Sequence, residues 1–148
     1  MLQQTEQVNS IRSSMELIIE PYKSFGPVEF GVSRDETRTH LGDLDEVMLV
    51  TGGNLPIDHH KDKGLAVVFD KYDNCAAVEI KRPSKTIFKG KNLMRLSWEE
   101  ALEWFKKIDP STEETYKEFV SWKYGIAFYA PAKNENPKTL AKTITVFK

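Results

Sequence analysis

Cysteine is almost missing from this 148-residue chain, which has Cys75 alone. A single thiol excludes a disulfide framework and a cysteine-rich zinc site, both of which need several cysteines. Long apolar runs are missing as well, since no stretch approaches the 18 residues that a membrane-spanning helix needs. The chain has 21 basic and 22 acidic residues, for a net charge of −1. It therefore lacks the basic excess that is typical of nucleic-acid-binding proteins.

The sequence also lacks the marks of an exported protein. The first 20 residues contain no basic segment followed by an apolar core, which a secretory signal requires. Apolar residues make up 40% of the chain, which is enough for a hydrophobic core, and the length suits one domain. We therefore expect a cytoplasmic protein without a membrane partner. Residues 15–148 are predicted to form the domain, and the polar residues 1–14 a flexible arm.

The first half of the chain reads as a turn, a short strand, a capped helix and a β-hairpin. The sequence FGP at 25–27 is typical of a turn, and VEF after it of a short strand. Ser33 and Glu36 have the spacing of a capping box, which predicts a helix over 34–41. Residues 51–64 are rich in glycine, proline and aspartate and predict a long exposed loop. Alternating apolar residues on both sides of DKYDN predict a hairpin with a five-residue loop.

The second half of the chain follows the same order. A second capping box, SWEE, begins 64 residues after SRDE, and apolar residues then recur at helical spacing over 98–107. Residues 111–120 are compatible with a short helix. Two strands are predicted after it, over 124–129 and 139–147.

These matching orders predict a duplicated chain, with half-repeats at about 17–83 and 84–148. One hairpin with one helix cannot bury its apolar face alone, so we expect the two units to join their sheets. The predicted fold class is α+β. It consists of an antiparallel sheet with helices packed on one face, and a two-fold internal repeat of short strand, helix and β-hairpin.

The three histidines and the cysteine match no catalytic or metal-binding pattern. His59 and His60 are adjacent, so their side chains point apart, and His40 lies near the end of the first predicted helix. No base or orienting residue accompanies Cys75. The paired carboxylates fall in or near first helical turns, where negative charge is favourable for structural reasons. We therefore predict a protein that is not an enzyme and holds no metal or cofactor.

The near-zero net charge conceals two blocks of opposite sign. The segment 81–95 carries six basic residues and no acid, and the segment 98–118 carries seven acids against three lysines. Such blocks are typical either of solvated surface or of a face that meets an oppositely charged partner. The basic segment lacks the interleaved aromatic residues on which bases stack, so we expect no nucleic-acid partner.

The pattern of glycines, caps and hairpins over residues 17–147 resembles that of bacterial immunity proteins encoded beside polymorphic toxin genes, including those of contact-dependent growth inhibition. It is carried by the segments IIEPYKSFGPVEFGVSRDETRTHLG, KGLAVVFDKYDNCAAVEIKRP, FKGKNLMRLSWEEALEWF and YGIAFYAPAKNENPKTLAKTITVF. The segment FGVSRDETRTHLG also resembles the helical part of outer-membrane assembly lipoproteins and of β-lactamase-inhibitor-like domains. Both resemblances imply protein binding rather than catalysis.

The immunity family implies a cytosolic protein, alone or in a 1:1 complex, that binds a cognate toxin domain and occludes its active site. The acidic block suggests carboxylates that meet a basic cleft, with an aromatic anchor beside them. The candidate partner-binding residues are Glu113, Glu114, Tyr116 and Glu118, followed by Asp58, His59 and Asp62, which we expect to be exposed. The alternatives are a small enzyme or ligand-binding domain that uses the 51–64 loop, with His59 or His60 in a cleft, and a generic protein-binding adaptor.

Overall fold

A computed structural model describes residues 15–42, 44, 46–49 and 56–148 of the chain. The predicted arm, residues 1–14, lies outside the described residues. In chain order the elements are β1 (Glu16–Glu20), β2 (Ser24–Phe25), β3 (Val28–Glu29), α1 (Arg34–Leu41), β4 (Glu46–Leu49), β5 (Pro56–His60), β6 (Leu65–Phe69), β7 (Cys75–Ile80), β8 (Lys85–Phe88), β9 (Lys91–Asn92), α2 (Trp98–Ile108), β10 (Glu113–Glu114), β11 (Glu118–Ser121), β12 (Ile126–Tyr129) and β13 (Thr143–Phe147). Single turns of 3-10 helix lie at Lys61–Lys63 and Leu93–Arg95.

Most of the described strands belong to one large antiparallel sheet. Its strand order is β10-β11-β12-β13-β7-β6-β5-β4. A smaller sheet has the order β3-β2-β1-β8-β9 and contains the parallel pair of β1 and β8. The prediction of a mixed, mostly antiparallel α+β chain is confirmed, but the strands form two sheets where the sequence predicts one.

One face of the large sheet forms the floor of the hydrophobic core. The strand register places Val67, Val78, Val146 and Ile126 in one row, and all four are fully buried. The neighbouring buried row on the same face consists of Leu65, Ile80, Ile144, Phe128 and Phe119. Alternate residues of a strand share a face, so the period-two pattern of the sequence brings these side chains together.

Helix α2 packs on this face of the sheet. Its capping box is complete, because the Ser97 hydroxyl accepts from the Glu100 amide (3.2 Å) and the Glu100 carboxylate accepts from the Ser97 amide (3.1 Å). Trp98 and Phe105 share the buried side of the helix. Their ring centroids lie 5.3 and 5.1 Å from that of Phe119. Burial of these large rings makes the helix–sheet contact a main source of stability.

Helix α1 lies on the same face, over β5 and β6. Its N-cap is Ser33, whose hydroxyl accepts from an amide of the first turn at 3.2 Å. The guanidinium of Arg34 lies over the ring of Phe69, 4.9 Å from its centroid. Both predicted helices are confirmed, the first over 34–41 and the second over 98–107 with one further residue at its end.

The smaller sheet closes the other side of the core. Phe88 of β8 stacks on Phe105 of α2, with centroids 5.8 Å apart, and contacts Tyr124 at 5.0 Å. Leu17 and Phe25 of the same sheet are fully buried. The helices and the smaller sheet therefore pack on one face of the large sheet and leave its opposite face uncovered by the described elements.

The predicted loop over 51–64 is wrong where the structure describes it. Pro56–His60 forms β5 between β4 and β6, and a 3-10 turn follows, while residues 51–55 lie outside the described residues. The polar composition of this segment indicates a loop, but it does not reveal the strand. The core-facing residues of β5, Asp58 and His60, are polar and yet fully buried. The proline is tolerated because it is the first residue of the strand.

The short helix considered for residues 111–120 is also wrong. This segment forms β10 and β11, joined by a turn in which the Thr115 amide donates to the Glu118 carbonyl at 2.7 Å. Phe119 is buried and Val120 half-buried, which is the alternation of a strand. A short polar segment has little helical stability of its own, so pairing with β12 decides its structure.

The internal repeat of residues 17–83 and 84–148 is not confirmed. The segments that precede the two helices differ, since three short strands lead to α1, whereas β8, β9 and a 3-10 turn lead to α2. The duplication therefore stays a prediction.

Candidate functional site

The outer face of the large sheet, which points away from the helices, is open to solvent across several strands. The register places His59, Ala66, Glu79, Thr145, Ala127, Val120 and Glu113 in one row on this face. Of these, only Ala127 is buried, with 8% of its surface exposed. An antiparallel sheet with one covered and one open face can present the open one to a partner.

A groove of about 530 Å³ lies on the outer face, and we call it the outer groove. It is lined by Glu79, Thr115, Tyr116, Lys117, Glu118, Tyr129, Thr143 and Thr145. Its volume falls in the range of clefts that hold a small ligand or a few side chains of a partner.

The strand register explains why the outer face of the sheet has a depression at the outer groove. Glu118, Tyr129 and Thr143 are cross-strand neighbours on β11, β12 and β13. Thr145 is in turn the neighbour of Glu79 on β7. The two threonine side chains are short and form a low floor, whereas the longer tyrosine and glutamate side chains rise on either side of it.

The structure brings two of the predicted residues, Tyr116 and Glu118, together in the outer groove. Tyr116 is 74% exposed and Glu118 is half-buried. Glu113 lies on the same face and is exposed, outside the lining of the groove. These three residues are therefore accessible to a partner that docks on the outer face.

Glu114, the remaining candidate of the acidic block, belongs to the helix side of the sheet. It is the cross-strand neighbour of the buried Phe119. Its carboxylate oxygens lie 3.3 Å from the Lys133 ammonium and 3.9 Å from that of Lys106 on α2. The Lys133 ammonium also lies over the ring of Trp98, 4.6 Å from its centroid. Glu114 thus ties β10 to the helix layer and does not face the outer groove.

The prediction that Asp58 is exposed is wrong. Its side chain is fully buried on the core face of β5, and Arg38 of α1 holds it by two hydrogen bonds, of 2.7 Å from Nε and 2.9 Å from the terminal nitrogen. These bonds raise the pKa of Arg38 above its usual value. A buried carboxylate needs such a bidentate partner, so Asp58 fixes α1 on the sheet and does not lie on the outer face.

His59 and Asp62 lie near the far end of the outer face. His59 is half-buried and lines a small cavity of about 50 Å³ that also contains Glu79. Asp62 is exposed and lies 3.8 Å from the ammonium of its neighbour Lys63. His60 is fully buried on the core face. Among the described residues of the 51–64 segment, His59 therefore lines only a small cavity, and His60 lies on the opposite face of the sheet.

Two acids of the acidic block serve the fold. The hydrogen bond from the Ser97 amide lowers the pKa of Glu100, the partner in the capping box. Burial by itself raises the pKa of Asp109. Hydrogen bonds from Ser111, from the Ser121 hydroxyl and from backbone amides lower it by more, so its pKa lies below the usual value. Asp109 thus links the end of α2 to β11.

Part of the basic segment 81–95 contacts the rest of the fold. Arg82 donates to the carbonyls of Ala141 (2.8 Å) and Met94 (2.6 Å). The ammonium of Lys91 lies over the ring of Trp104, 5.2 Å from its centroid. These two side chains therefore stabilise contacts within the fold, whereas Lys81, Lys85 and Arg95 of the same segment are exposed.

Cys75 is fully buried at the start of β7. Burial raises the pKa of its thiol to about 12, and a hydrogen bond with Thr37 lowers it only in part. A thiol that stays protonated is a poor nucleophile. The structure gives Cys75 a packing role in the core.

An aromatic cluster lies at the end of the outer face away from the outer groove. Trp122 and Tyr22, 53% and 43% exposed, each contact Phe147 edge-to-face, with centroids 5.5 and 6.2 Å apart. The Tyr22 hydroxyl donates to the Trp122 carbonyl. Gly125 allows this packing, because a Cβ there would lie 3.1 Å from the Tyr22 ring. Exposed aromatic residues of this kind are frequent anchors in protein interfaces.

Sequence reasoning missed Glu79 and Tyr129 of the outer groove and Trp122 of the aromatic cluster. Glu79 lies between the core residues Val78 and Ile80, so its outward direction could be inferred from period two. The sequence did not reveal that β11, β12 and β13 bring the other groove residues next to Glu79.

Neither described helix combines the length and the apolar character needed to cross a bilayer. In the part of the chain that the structure describes, no three histidine, cysteine or acidic side chains come together as possible metal ligands. Comparison of the chain with protein-family models, with curated proteins and with solved structures finds no match.

Proposed function

We propose that this chain is an immunity protein that binds a cognate bacterial toxin domain in the cytosol and occludes its active site. The observation that carries the proposal is the outer groove, in which Tyr116 and Tyr129 stand beside the carboxylates of Glu79 and Glu118. The resemblance of residues 17–147 to immunity proteins supports the same function. Binding needs no catalytic group, only a surface that is complementary to the toxin.

Exposed aromatic residues at both ends of the outer face suit a protein interface. Tyrosine and tryptophan dominate binding energy in such surfaces, and Tyr116 and Trp122 are both more than half exposed. Between the outer groove and the aromatic cluster lies a partly apolar surface that includes Val120 and its cross-strand neighbour Ala127. A toxin domain that spans both ends of this face would form a 1:1 complex of ordinary interface size.

We also propose that the two halves of the chain are copies of one unit. The large sheet contains four consecutive strands from each half, and the last strand of each, β7 and β13, pair at its middle. In both halves the N-cap serine forms an isolated bridge with a residue near the start of that last strand. The bridges join Ser33 to Asn74 and Ser97 to Leu140. An experimental structure in which one half does not superimpose on the other would refute the duplication.

The immunity function is tested by growth rescue. The chain is co-expressed with the C-terminal toxin domain encoded next to its gene, and growth and co-purification are measured. We expect full rescue and a 1:1 complex. The double variant Tyr116→Ala with Glu118→Lys should weaken the complex by about 100-fold or more, because it removes an aromatic anchor and reverses a groove charge.

The matched control is Glu103→Lys, a charge reversal on the exposed side of α2, which lies across the sheet from the outer face. It should retain rescue. Absence of both rescue and complex with the unchanged chain would sink the proposal. A complex without rescue would indicate the generic adaptor instead.

A further inference from the structure

The carboxylates of the outer groove stand apart from the other acids of the chain. Glu100, Asp109 and Glu114 each have hydrogen-bond or ion-pair partners within the fold. Within the described residues, neither Glu79 nor Glu118 forms an ion pair, and neither side chain accepts a hydrogen bond. Their charges are therefore available to a group from outside.

The position of Glu79 in the sheet strengthens this observation. Glutamate is unfavourable in strands, and β7 is a central strand of the large sheet. Its cross-strand neighbours are Ala66 and Thr145, neither of which is charged. Lys61 and Lys81 line the small cavity beside Glu79, but within the described residues this carboxylate forms no ion pair that stabilises the fold.

The charge and the walls of the outer groove favour a cation. Two carboxylates and one ammonium group, that of Lys117, line it, and Glu113 adds a further negative charge on the same face. Two tyrosine rings, of Tyr116 and Tyr129, form part of its wall. Aromatic faces attract cations, and the planar guanidinium of arginine can stack on a ring while it donates to carboxylates.

From this geometry we infer that the outer groove receives an arginine side chain of the protein partner. The guanidinium donates to Glu118 and its plane packs against the tyrosine rings, while Glu79 across the groove adds to the negative potential. The inference rests on the proposed function in that the partner is the toxin domain. It adds the chemistry by which this surface recognises that partner.

The test uses N-acetyl-arginine-N-methylamide as the probe and needs no toxin. The full chain is labelled with ¹⁵N, and the probe is titrated while amide chemical shifts are recorded. We expect saturable shifts centred on the floor of the groove, at Thr143 and Thr145, and at the neighbouring Tyr129. The citrulline analogue, which has nearly the same shape without the charge, should bind about tenfold more weakly.

The double variant Glu79→Gln with Glu118→Gln should lose the response, with its spectrum otherwise retained. The matched control Glu103→Gln should bind the probe like the unchanged chain. Absence of saturable shifts at the groove, equal binding of the citrulline analogue or an unaffected double variant would each overturn the inference. Growth rescue without arginine binding would reject the arginine occupant alone, whereas arginine binding without rescue would reject the immunity function.

Discussion

Individual carboxylates of this chain have different roles that depend on what surrounds them. Asp58 is buried and paired with Arg38, and Asp109 is buried in a network of hydroxyl and amide donors. Glu79 and Glu118 face an open groove. Sequence spacing does not separate these classes, because an acid in a strand can face either side of a sheet. The strand register and the position of α1 decide which carboxylate is buried and which faces solvent.

The pair of Arg38 and Asp58 should behave as a unit. Arg38→Ala leaves a buried carboxylate without its partner and should lower the free energy of unfolding by about 3 kcal/mol. Replacing both residues, Arg38→Met with Asp58→Leu, should recover most of that loss, because no buried charge remains. Urea denaturation at pH 7 measures both values. A loss below about 1 kcal/mol for Arg38→Ala would contradict the structural role of the pair.

Asp109 should make stability depend on pH. Its pKa in the folded chain lies below the unfolded value of about 3.9, so its contribution is complete above that value and is lost as the pH falls through the folded pKa. Asp109→Asn removes a charged acceptor from Ser111 and Ser121, and should cost about 1–3 kcal/mol at pH 7.

Urea denaturation of both chains between pH 7 and pH 2.5 tests this dependence. The difference in free energy of unfolding should shrink only below about pH 4. A difference that stays constant over the whole range would show that the carboxylate charge has no part in it.

At the scale of elements, the two helices were predictable from the sequence because their signals are local. Capping residues and helical spacing of apolar residues lie within a few positions of each other, and both helices begin where the caps place them. β5 and the pair of β10 and β11 were not predictable. Their core-facing residues include Asp58 and His60 in the first case, and Glu114 and Ser121 beside Phe119 in the second. Neighbouring strands, distant in sequence, decide these segments.

The caps also differ in strength. At α2, the side chains of Ser97 and Glu100 each accept a hydrogen bond from the other residue's amide. At α1, the structure has only the bond to the Ser33 hydroxyl. Ser97→Ala should therefore cost about 1–2 kcal/mol, and Ser33→Ala about 0.5–1 kcal/mol. Thermal unfolding of the two variants at equal concentration provides the comparison. A larger loss for Ser33→Ala would contradict the ranking.

At the scale of the whole molecule, the near-neutral net charge is distributed unevenly. Much of the basic segment binds back to the chain through Arg82, Lys89 and Lys91. Part of the acidic block likewise serves the fold, and the remaining acids include Glu113 and Glu118 on the outer face. The two charged blocks were visible in the sequence. Only the folded sheet shows which of their charges face solvent on the outer face.

Association with the proposed toxin partner should reflect this division. Glu113→Lys should slow the association rate about three- to tenfold at low salt, because it reverses a charge on the outer face. Glu114→Lys, on the helix side, should change that rate less, although it removes ion pairs with Lys106 and Lys133. Stopped-flow mixing at low and high salt gives both rates, and the difference should fade at high salt. Equal slowing by both variants would remove the outer face from the interface.

The sequence by itself determined the two helices, the alternating strands of the central hairpin, and the lack of a cysteine framework, because these depend on neighbours along the chain. Only the tertiary structure decided that residues 56–60 form a strand with a buried aspartate, that Glu114 and Glu118 face opposite sides, and that Glu79 joins Tyr129 in one groove. The physical reason is the register of strands far apart in sequence. In a sheet, a shift of one residue exchanges the buried side chains for the exposed ones.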